Sequence, residues 1–288
     1  MAVRALVVAV VSLLVLFVAG CLSSEHGPTG PEPPPVVPGL VVFVSDRDES
    51  HGEIYVMKDD GTNVHRLTFN SVVDAAPVLS PDGTRILFRR ELNPDNVMVM
   101  NVDGSGQAGL TPGSRAEWSP DGTQIAVAGD SLAVMKADAT GMRTIGVGAA
   151  FVTWKPDGTR LAYVSTGLAG QAVNDIYTIA PNGTGALRVT QDGTPRNSLA
   201  WSPDGTKLVF GAPAGIQVIP AAGGAPTFTS PGRNPRWSPD GTRIIFATDA
   251  YNGGGNDDLY TIRLDGSGLQ NLSHSDAGES EPDWGPRP

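Results

Sequence analysis

The chain has 288 residues, a formal net charge of −10 and 40% apolar residues, enough for a sizeable core. Its acidic balance leaves no basic patch to neutralise phosphates, so we exclude nucleic acid as a partner. The single cysteine excludes an intramolecular disulfide. Abundant glycine (36) and proline (24) are typical of an all-β chain with many turns.

The first twenty residues are predicted to be a targeting segment. Arg4 supplies a small positive charge, and the 14-residue apolar run Ala5–Val18 is too short to span a bilayer but typical of a signal peptide. The segment ends Val18-Ala19-Gly20-Cys21, which resembles the bacterial lipobox, where small residues precede a cysteine that becomes lipidated. We therefore expect a cleaved signal peptide over residues 1–20 and lipid on Cys21. An uncleaved anchor with an incidental cysteine is the alternative.

Residues 21–38 are predicted to connect the lipid to the folded domain. After Cys21 the segment is rich in proline and should form an extended tether without a core. The mature domain, residues 39–288, would then be exported and held at a membrane. We expect it to face the periplasm or the cell exterior.

From residue 39 onward the chain repeats a six-residue hairpin signal. In Trp201-Ser202-Pro203-Asp204-Gly205-Thr206 the proline presets φ for a turn, the serine and aspartate bond the turn backbone, and the glycine accepts a positive φ. Other copies begin at Leu79, Trp118, Trp154 and Trp237, and Trp284 begins a truncated copy. These positions average 41 residues apart. Four short strands at this period predict one blade of a β-propeller.

The register of the repeats predicts six blades and the point of closure. The 250 residues from 39 to 288 hold six units of about 42 residues. The chain enters at Leu40–Val44, which aligns with the second strand of a unit, and leaves at Glu281–Trp284, which aligns with the first. We therefore predict an all-β, six-bladed β-propeller of four-stranded antiparallel blades, closed between its N- and C-terminal strands with no large open edge.

The repeats also carry a family resemblance. The Trp-Ser-Pro-Asp-Gly-Thr units, each followed by an apolar strand such as Ile244-Ile245-Phe246, resemble the WD-like repeats of the TolB-type six-bladed β-propeller family. The resemblance covers residues 40–286 and implies the propeller fold. TolB proteins of that family are periplasmic and carry a further N-terminal α/β domain, where this chain has a tether and a lipobox.

Antiparallel order divides the predicted propeller into two faces. The turn face holds the short Ser-Pro-Asp-Gly turns between strands one and two and the Asp-Gly-Thr/Ser turns between strands three and four. The loop face holds the loops between strands two and three and the crossovers to the next blade. Length variation is confined to the loop face, from Gly129–Ser131 to Thr166–Asn174 and Ala250–Asp257. Variable loops on a rigid scaffold are where binding sites concentrate.

The strand that precedes each Trp-position residue is predicted to line the central channel. The residues one and three places before that position share one side of the strand, and the residue between them is apolar in every repeat. The polar members predicted to bind a partner at the channel mouth are Arg115, Glu117, Asn234, Arg236, Glu281 and Asp283. Structural ion pairs between blades are the alternative role for these charges.

Three short motifs are weak candidates for chemistry. Gly129-Asp130-Ser131-Leu132 spells a hydrolase string, but lies in a blade loop without the strand-to-helix turn or the histidine that its nucleophile requires. Asp46–Gly52 resembles a calcium loop, but its glycine is one place late and no bidentate glutamate follows. A weak candidate for a metal site on the loop face is the group His51, His274, Asp276 and Glu281. We predict no catalytic residue, no bound metal and no cofactor.

These features favour a lipid-anchored extracytoplasmic binding module. Its loop face and channel mouth would dock an envelope protein or peptide without chemistry, and we expect a monomer. The alternative is a metal-dependent carbohydrate- or peptide-active enzyme with its site at the channel mouth, which requires a convergent acid/base or metal cluster there. A pure structural spacer would have a loop face without distinguishing features.

Overall fold

The computed structural model describes residues 39–49, 51–167, 170–171, 173–253 and 255–285. The predicted signal peptide, the lipidation site Cys21 and the tether lie outside the described residues, so they remain predictions. Within the described ranges, no helix is long and apolar enough to cross a bilayer.

The described residues form 24 strands in six antiparallel sheets of four. Blade 1 contains β1 (Leu40–Ser45), β2 (Glu53–Lys58) and β3 (His65–Arg66), together with the last strand of the chain. Blade 2 consists of β4 (Asp74–Leu79), β5 (Arg85–Arg90), β6 (Asn96–Asn101) and β7 (Ala108–Pro112). Blade 3 consists of β8 (Arg115–Trp118), β9 (Gln124–Ala128), β10 (Ser131–Lys136) and β11 (Arg143–Val147).

The remaining strands build blades 4, 5 and 6 in the same way. Blade 4 consists of β12 (Ala149–Trp154), β13 (Leu161–Ser165), β14 (Ile176–Ile179) and β15 (Leu187–Arg188). Blade 5 consists of β16 (Ala200–Trp201), β17 (Lys207–Ala212), β18 (Gly215–Pro220) and β19 (Phe228–Ser230). Blade 6 consists of β20 (Arg233–Trp237), β21 (Arg243–Thr248), β22 (Asp258–Arg263) and β23 (Gln270–Asn271).

The last strand, β24 (Glu279–Trp284), completes blade 1. It pairs antiparallel with β1, with Val41 opposite Trp284 and Val42 opposite Asp283. The sheet order β24-β1-β2-β3 makes the C-terminal strand the inner strand of the N-terminal blade. The predicted six blades and the closure between the two ends of the domain are confirmed.

The Ser-Pro-Asp-Gly turns form as their chemistry predicts. In blade 5 the Gly205 N–H donates to the Ser202 carbonyl at 2.8 Å, and Gly205 has φ of 66°. The Ser202 hydroxyl and the Thr206 N–H both donate to Asp204. These two donors, the hydroxyl first, hold the pKa of Asp204 at about 2. The aspartate carboxylate therefore stabilises this turn of the turn face by accepting hydrogen bonds from residues on both sides of it.

A buried carboxylate ties the third strand to the fourth in three blades. In blade 4, Asp175 is fully buried and accepts from Thr190 Oγ1 at 3.0 Å and from Gly193 N at 3.1 Å. Thr190 Oγ1 in turn accepts from Ile176 N at 2.9 Å. The equivalent pairs are Glu53 with Thr68 and Asp258 with Ser273. These hydrogen bonds satisfy the buried carboxyl groups and join the third strand of each blade to its fourth.

The apolar core lies between neighbouring blades. In five blades the second and third strands contribute a pair of large cross-strand residues that packs on the preceding blade. These pairs are Phe43–Tyr55, Phe88–Met98, Tyr163–Tyr177, Phe210–Gln217 and Phe246–Tyr260. Blade 3 has Val127–Ala133 instead.

Candidate functional site at the channel mouth

Three inner strands bulge where the channel opens on the loop face. The third residue before the Trp position has positive φ in β4, β20 and β24, namely Ala76 (52°), Asn234 (51°) and Glu281 (49°), and a proline follows each. The pairing register shifts at the same three places. A bulge bends the strand and re-aims its side chains. The period-two alternation predicted for these strands is therefore interrupted, and Pro77 and Pro282 join the mouth lining.

The six residues at this position meet at the mouth, one from each blade. They are Ala76, Arg115, Phe151, Ser198, Asn234 and Glu281. With Arg236 and their neighbours they line a cavity of about 20 Å³, room for about one water molecule. Of the predicted partner-binding residues, Glu117 and Asp283 lie two residues further along their strands towards the turn face. Side chains thus close the predicted mouth.

Arg115 and Glu281 join blades that are not neighbours in the ring. Arg115 Nη2 donates to Glu281 Oε1, and its guanidinium lies 5.3 Å from the Phe151 ring centroid. Glu281 Oε2 accepts from Ala76 N at 2.7 Å. Glu281, Ala76, Arg115 and Phe151 belong to blades 1, 2, 3 and 4. The contacts of this ion pair therefore connect four of the six blades at the mouth.

Arg236 and Asp283 form the second ion pair of the channel. Arg236 Nε lies 3.4 Å from Asp283 Oδ1, and Asp283 Oδ2 accepts from Leu79 N at 2.9 Å. Arg236 Nη1 also donates to the Leu199 carbonyl at 3.2 Å. Structural ion pairs between blades, the alternative role considered for these charges, are therefore present in the channel. A role of these residues towards a partner remains a prediction.

Glu117 is a third carboxyl group of the channel, within electrostatic range of Arg236 and Asp283. Its carboxyl group makes no hydrogen bond with any residue in the described part of the chain. Burial raises the pKa of Glu117 to about 8. The positive charge of Arg236 acts to lower this pKa, and the negative charge of Asp283 acts to raise it. Burial also raises the pKa of Asp283. Burial thus favours the protonated form of Glu117, while Arg115 pairs with Glu281 and Arg236 with Asp283.

Glu117→Gln is expected to stabilise the domain at alkaline pH. The folded protein holds a proton on Glu117 that the unfolded chain releases above pH 4.5, so this group lowers stability as pH rises towards 8. The amide removes that dependence, and we expect a gain of about 1–3 kcal/mol in the free energy of unfolding at pH 8. Urea titrations at pH 4.5 and pH 8 measure it, with the exposed Glu49→Gln as control. Equal gains at both pH values would contradict the prediction.

The weak metal candidates gain no support from the described residues. Within those ranges, no group of three or more His, Cys, Asp or Glu is placed to hold a metal ion. His51 Nε2 lies 2.9 Å from the Asn70 carbonyl, and the exposed His274 donates its backbone N–H to Asn271. In the acidic loop, Asp46 accepts from Gly278 N, and Asp48 accepts from the Tyr55 hydroxyl.

The loop face carries exposed apolar side chains that sequence reasoning missed. Phe69, Leu92, Val173 and Tyr251 are 73, 45, 53 and 40% exposed. Phe69 lies in a crossover, and the other three lie in loops between second and third strands. In the described part of the chain, the other exposed large apolar residues adjoin or lie in outer strands: Met142, Leu187 and Leu269. Large apolar residues in variable loops were the available signal, because binding residues concentrate in loops carried by a rigid scaffold.

Together the strands and mouth define a six-bladed β-propeller with a side-chain-filled channel. No protein-family model matches the chain. It is similar to a protein TolB homolog from Chlorobium luteolum, with 29% identity over 178 residues, 59% of this chain and 30% of that protein's length. The match therefore spans less than a third of that curated relative.

Solved structures match the chain in fold. The crystal structure of TolB from Acinetobacter baumannii matches with a TM-score of 0.70 and 18% identity, over 86% of this chain and 67% of that chain. An oligogalacturonate lyase in complex with manganese matches with a TM-score of 0.55 and 15% identity, over 80% of this chain and 73% of that chain. The chain folds as a TolB-type six-bladed β-propeller, as its repeats predict.

Proposed function

We propose that this protein is a lipid-anchored, extracytoplasmic binding module that docks an envelope protein or peptide on its loop face. The observation that carries the proposal is the set of four exposed apolar side chains in the loop-face loops and crossover. The lipobox-like Val18-Ala19-Gly20-Cys21 and the proline-rich tether support anchoring. The resemblance to TolB-type propellers, whose TolB members are periplasmic, supports an envelope location.

The chemistry of the loop face suits a protein partner. Phe69 is the most exposed of the four, and the Arg66 guanidinium lies 4.8 Å from its ring centroid. Aromatic and arginine side chains are the residue types that dominate binding energy at protein interfaces. The strands beneath these loops form the kind of scaffold on which binding loops are commonly carried.

The closed mouth favours surface docking over capture of a small molecule. Its cavity of about 20 Å³ is far below the roughly 300–1,000 Å³ of ordinary ligand pockets. The partly exposed Arg115, Arg236 and Glu281 would instead contribute orientation and specificity to a docked surface. Asn234, Glu117 and Asp283 complete the proposed partner-binding set around and beneath the mouth.

Phe69→Ser is expected to weaken partner binding by about tenfold or more, because truncating an aromatic anchor removes about 1–2 kcal/mol or more. The partner is isolated on the tagged lipoprotein from its native envelope, and its dissociation constant is then measured with each variant. Leu187→Ser, at an exposed residue of an outer strand, is the matched control. Loss of binding in the control with retention in Phe69→Ser would contradict docking on the loop face.

A metal-dependent carbohydrate- or peptide-active enzyme is the second candidate, since the manganese-containing lyase shares the propeller fold. That likeness extends to the fold alone. Such an enzyme needs open metal ligands at the mouth, where Arg115 and Arg236 pair with Glu281 and Asp283. Calorimetric titration with Mn²⁺ separates the two candidates: saturable binding lost in Glu281→Gln would favour the enzyme, and absence of binding would remove it.

A further inference from the structure

Blade 3 lacks the pair of large side chains that the other five blades share. At the same positions of its second and third strands, Val127 lies opposite Ala133. In the other blades this pair consists of an aromatic residue opposite tyrosine, methionine or glutamine. Like those pairs, Val127 packs towards the preceding blade. Two small residues in place of two large ones leave room between blades 2 and 3.

Blade 3 also lacks a side chain that covers its cross-strand pair. In each of the other five blades, a side chain from a neighbouring segment contacts an aromatic residue of the pair. The covers are Arg47 on Phe43 (5.6 Å), Arg90 on Phe88 (5.4 Å), Arg196 on Phe210 (4.8 Å), Gln171 on the Tyr163 hydroxyl (2.7 Å) and Tyr251 on Tyr260 (5.4 Å). In blade 3 neither the connection Gly129-Asp130 nor the crossover Gly113-Ser114 carries an arginine, glutamine or tyrosine that could lie over the strands.

In blade 3, where the aromatic side chain and its covering group are both absent, there is a cleft of about 670 Å³. Val127 and Ala133 line it, together with Pro94 and Pro112 of blade 2 and the backbone of Gly129. Its volume is that of an ordinary ligand site. The cleft shares no lining residue with the channel mouth, so the two sites are separate.

One carboxylate at the rim of this cleft is free to meet a cation. Asp130 is exposed and makes no hydrogen bond or ion pair with any residue of the described ranges. The other carboxylate of the cleft, Asp95, already pairs with Arg89 at 3.0 Å. Three of the five covering groups in the other blades are arginines. The chain's own repeats thus show what the blade 3 position is built to accept: an aromatic ring with a guanidinium beside it.

The geometry points to a second docking site, in which the blade 3 cleft takes an aromatic side chain from an extended peptide segment of a partner protein, while a neighbouring arginine of that segment pairs with Asp130. The ring would occupy the place of the missing cross-strand pair, and the arginine would replace the missing cover. Gly129, where an added Cβ would meet only Gly113 Cα at 3.8 Å, leaves its backbone open to the peptide. This site lies on the loop face too, because Pro94 and Asp130 belong to loops between second and third strands. It is separate from the channel mouth, and it does not depend on docking at Phe69.

Binding of short capped peptides to the full-length protein in detergent micelles tests this site. We expect acetyl-Phe-Arg-amide to shift the methyl NMR signals of Val127 and Ala133 saturably. Acetyl-Ala-Arg-amide should bind about tenfold more weakly or worse, because it lacks the anchor. Acetyl-Phe-Glu-amide should also bind more weakly, and Asp130→Asn should abolish the preference for arginine.

Ala133→Tyr is the decisive variant, because it restores the residue that blades 1, 4 and 6 carry. It should fill the cleft, raise the melting temperature and eliminate binding of acetyl-Phe-Arg-amide. Gln217→Tyr makes the same change at the same position of blade 5 and should leave binding intact. If Ala133→Tyr does not fold, Ala133→Met, which copies blade 2, replaces it.

Three results would overturn the proposal. The first is the absence of methyl shifts with acetyl-Phe-Arg-amide, and the second is equal binding of the alanine peptide. The third is self-association of the protein that Ala133→Tyr abolishes. That result would assign the cleft to a second copy of this chain, for which the exposed Phe69 with Arg66 stacked on it is the matching group.

Discussion

Deletion of residues 279–288 is expected to abolish cooperative folding of the propeller. The deletion removes β24, so β1 loses its inner partner and the fully buried Val41 and Phe43 become exposed. It also removes the carboxylates of Glu281 and Asp283, which bond the backbone of blade 2 and both channel arginines. Full burial of each large apolar side chain is worth about 1.5–3 kcal/mol. The combined loss is comparable with the whole stability of a domain, about 5–15 kcal/mol.

Thermal unfolding followed by circular dichroism measures this effect. The matched control is a chain that ends at Gly285, since it keeps all of β24 and the bond from Gly285 N to the Leu40 carbonyl. We expect the control to melt like the full chain and the longer deletion to aggregate or to melt without a cooperative transition. A wild-type melt of the longer deletion would contradict closure between the two ends of the domain.

Cys21→Ala is expected to move the protein from the membrane to the aqueous phase. A multiply acylated cysteine holds a protein stably at a bilayer, whereas the tether that follows it is too polar to do so. In detergent phase separation of labelled cells, the wild type should partition into detergent and the variant into the aqueous phase. Ser23→Ala, two residues further along the tether, should behave like the wild type.

The mass of the mature protein separates the two readings of the N-terminal segment. Cleavage before a lipidated Cys21 gives a chain of residues 21–288 with added acyl groups. An uncleaved anchor would give all 288 residues without lipid, and Cys21→Ala would then stay in the detergent phase. Unchanged partitioning of the variant would therefore refute the lipoprotein reading.

The fold was predictable because its information is local and repeated. The Pro-Asp-Gly chemistry at each copy, such as Pro203–Gly205, defines a turn without reference to the rest of the chain. The spacing of the copies then gives the number of blades, and the register at Leu40 and Trp284 gives the closure. Each of these inferences needs only neighbouring residues and counting.

The geometry of the mouth was only partly predictable. The alternation of polar and apolar residues identified the channel-lining set, and the prolines that follow Ala76, Asn234 and Glu281 were visible in the sequence. The positive φ of those three residues was not, because it depends on how the inner strands meet when the ring closes. The pairing of Arg115 with Glu281 joins residues 166 positions apart, so only the closed ring reveals it.

The blade 3 cleft was visible in the repeats only after the strands were paired. Val127 stands where other blades have phenylalanine or tyrosine, which a comparison of repeats shows directly. That Ala133 lies opposite it follows from the strand register. The absence of a covering side chain follows from the small or acidic residues of Gly113-Ser114 and Gly129-Asp130. It can be recognised only after the structure shows which side chains cover the other blades.

Site-specific photo-crosslinking in the native envelope tests loop-face docking most directly. A photoreactive phenylalanine analogue replaces Phe69 or Tyr251 on the loop face, where it fits because the native side chains are exposed and aromatic. The same analogue replaces Thr123 or Thr206 on the turn face, where both residues are exposed. Docking on the loop face predicts a discrete protein adduct from the first two positions and none from the last two. Adducts from the turn-face positions alone would contradict it.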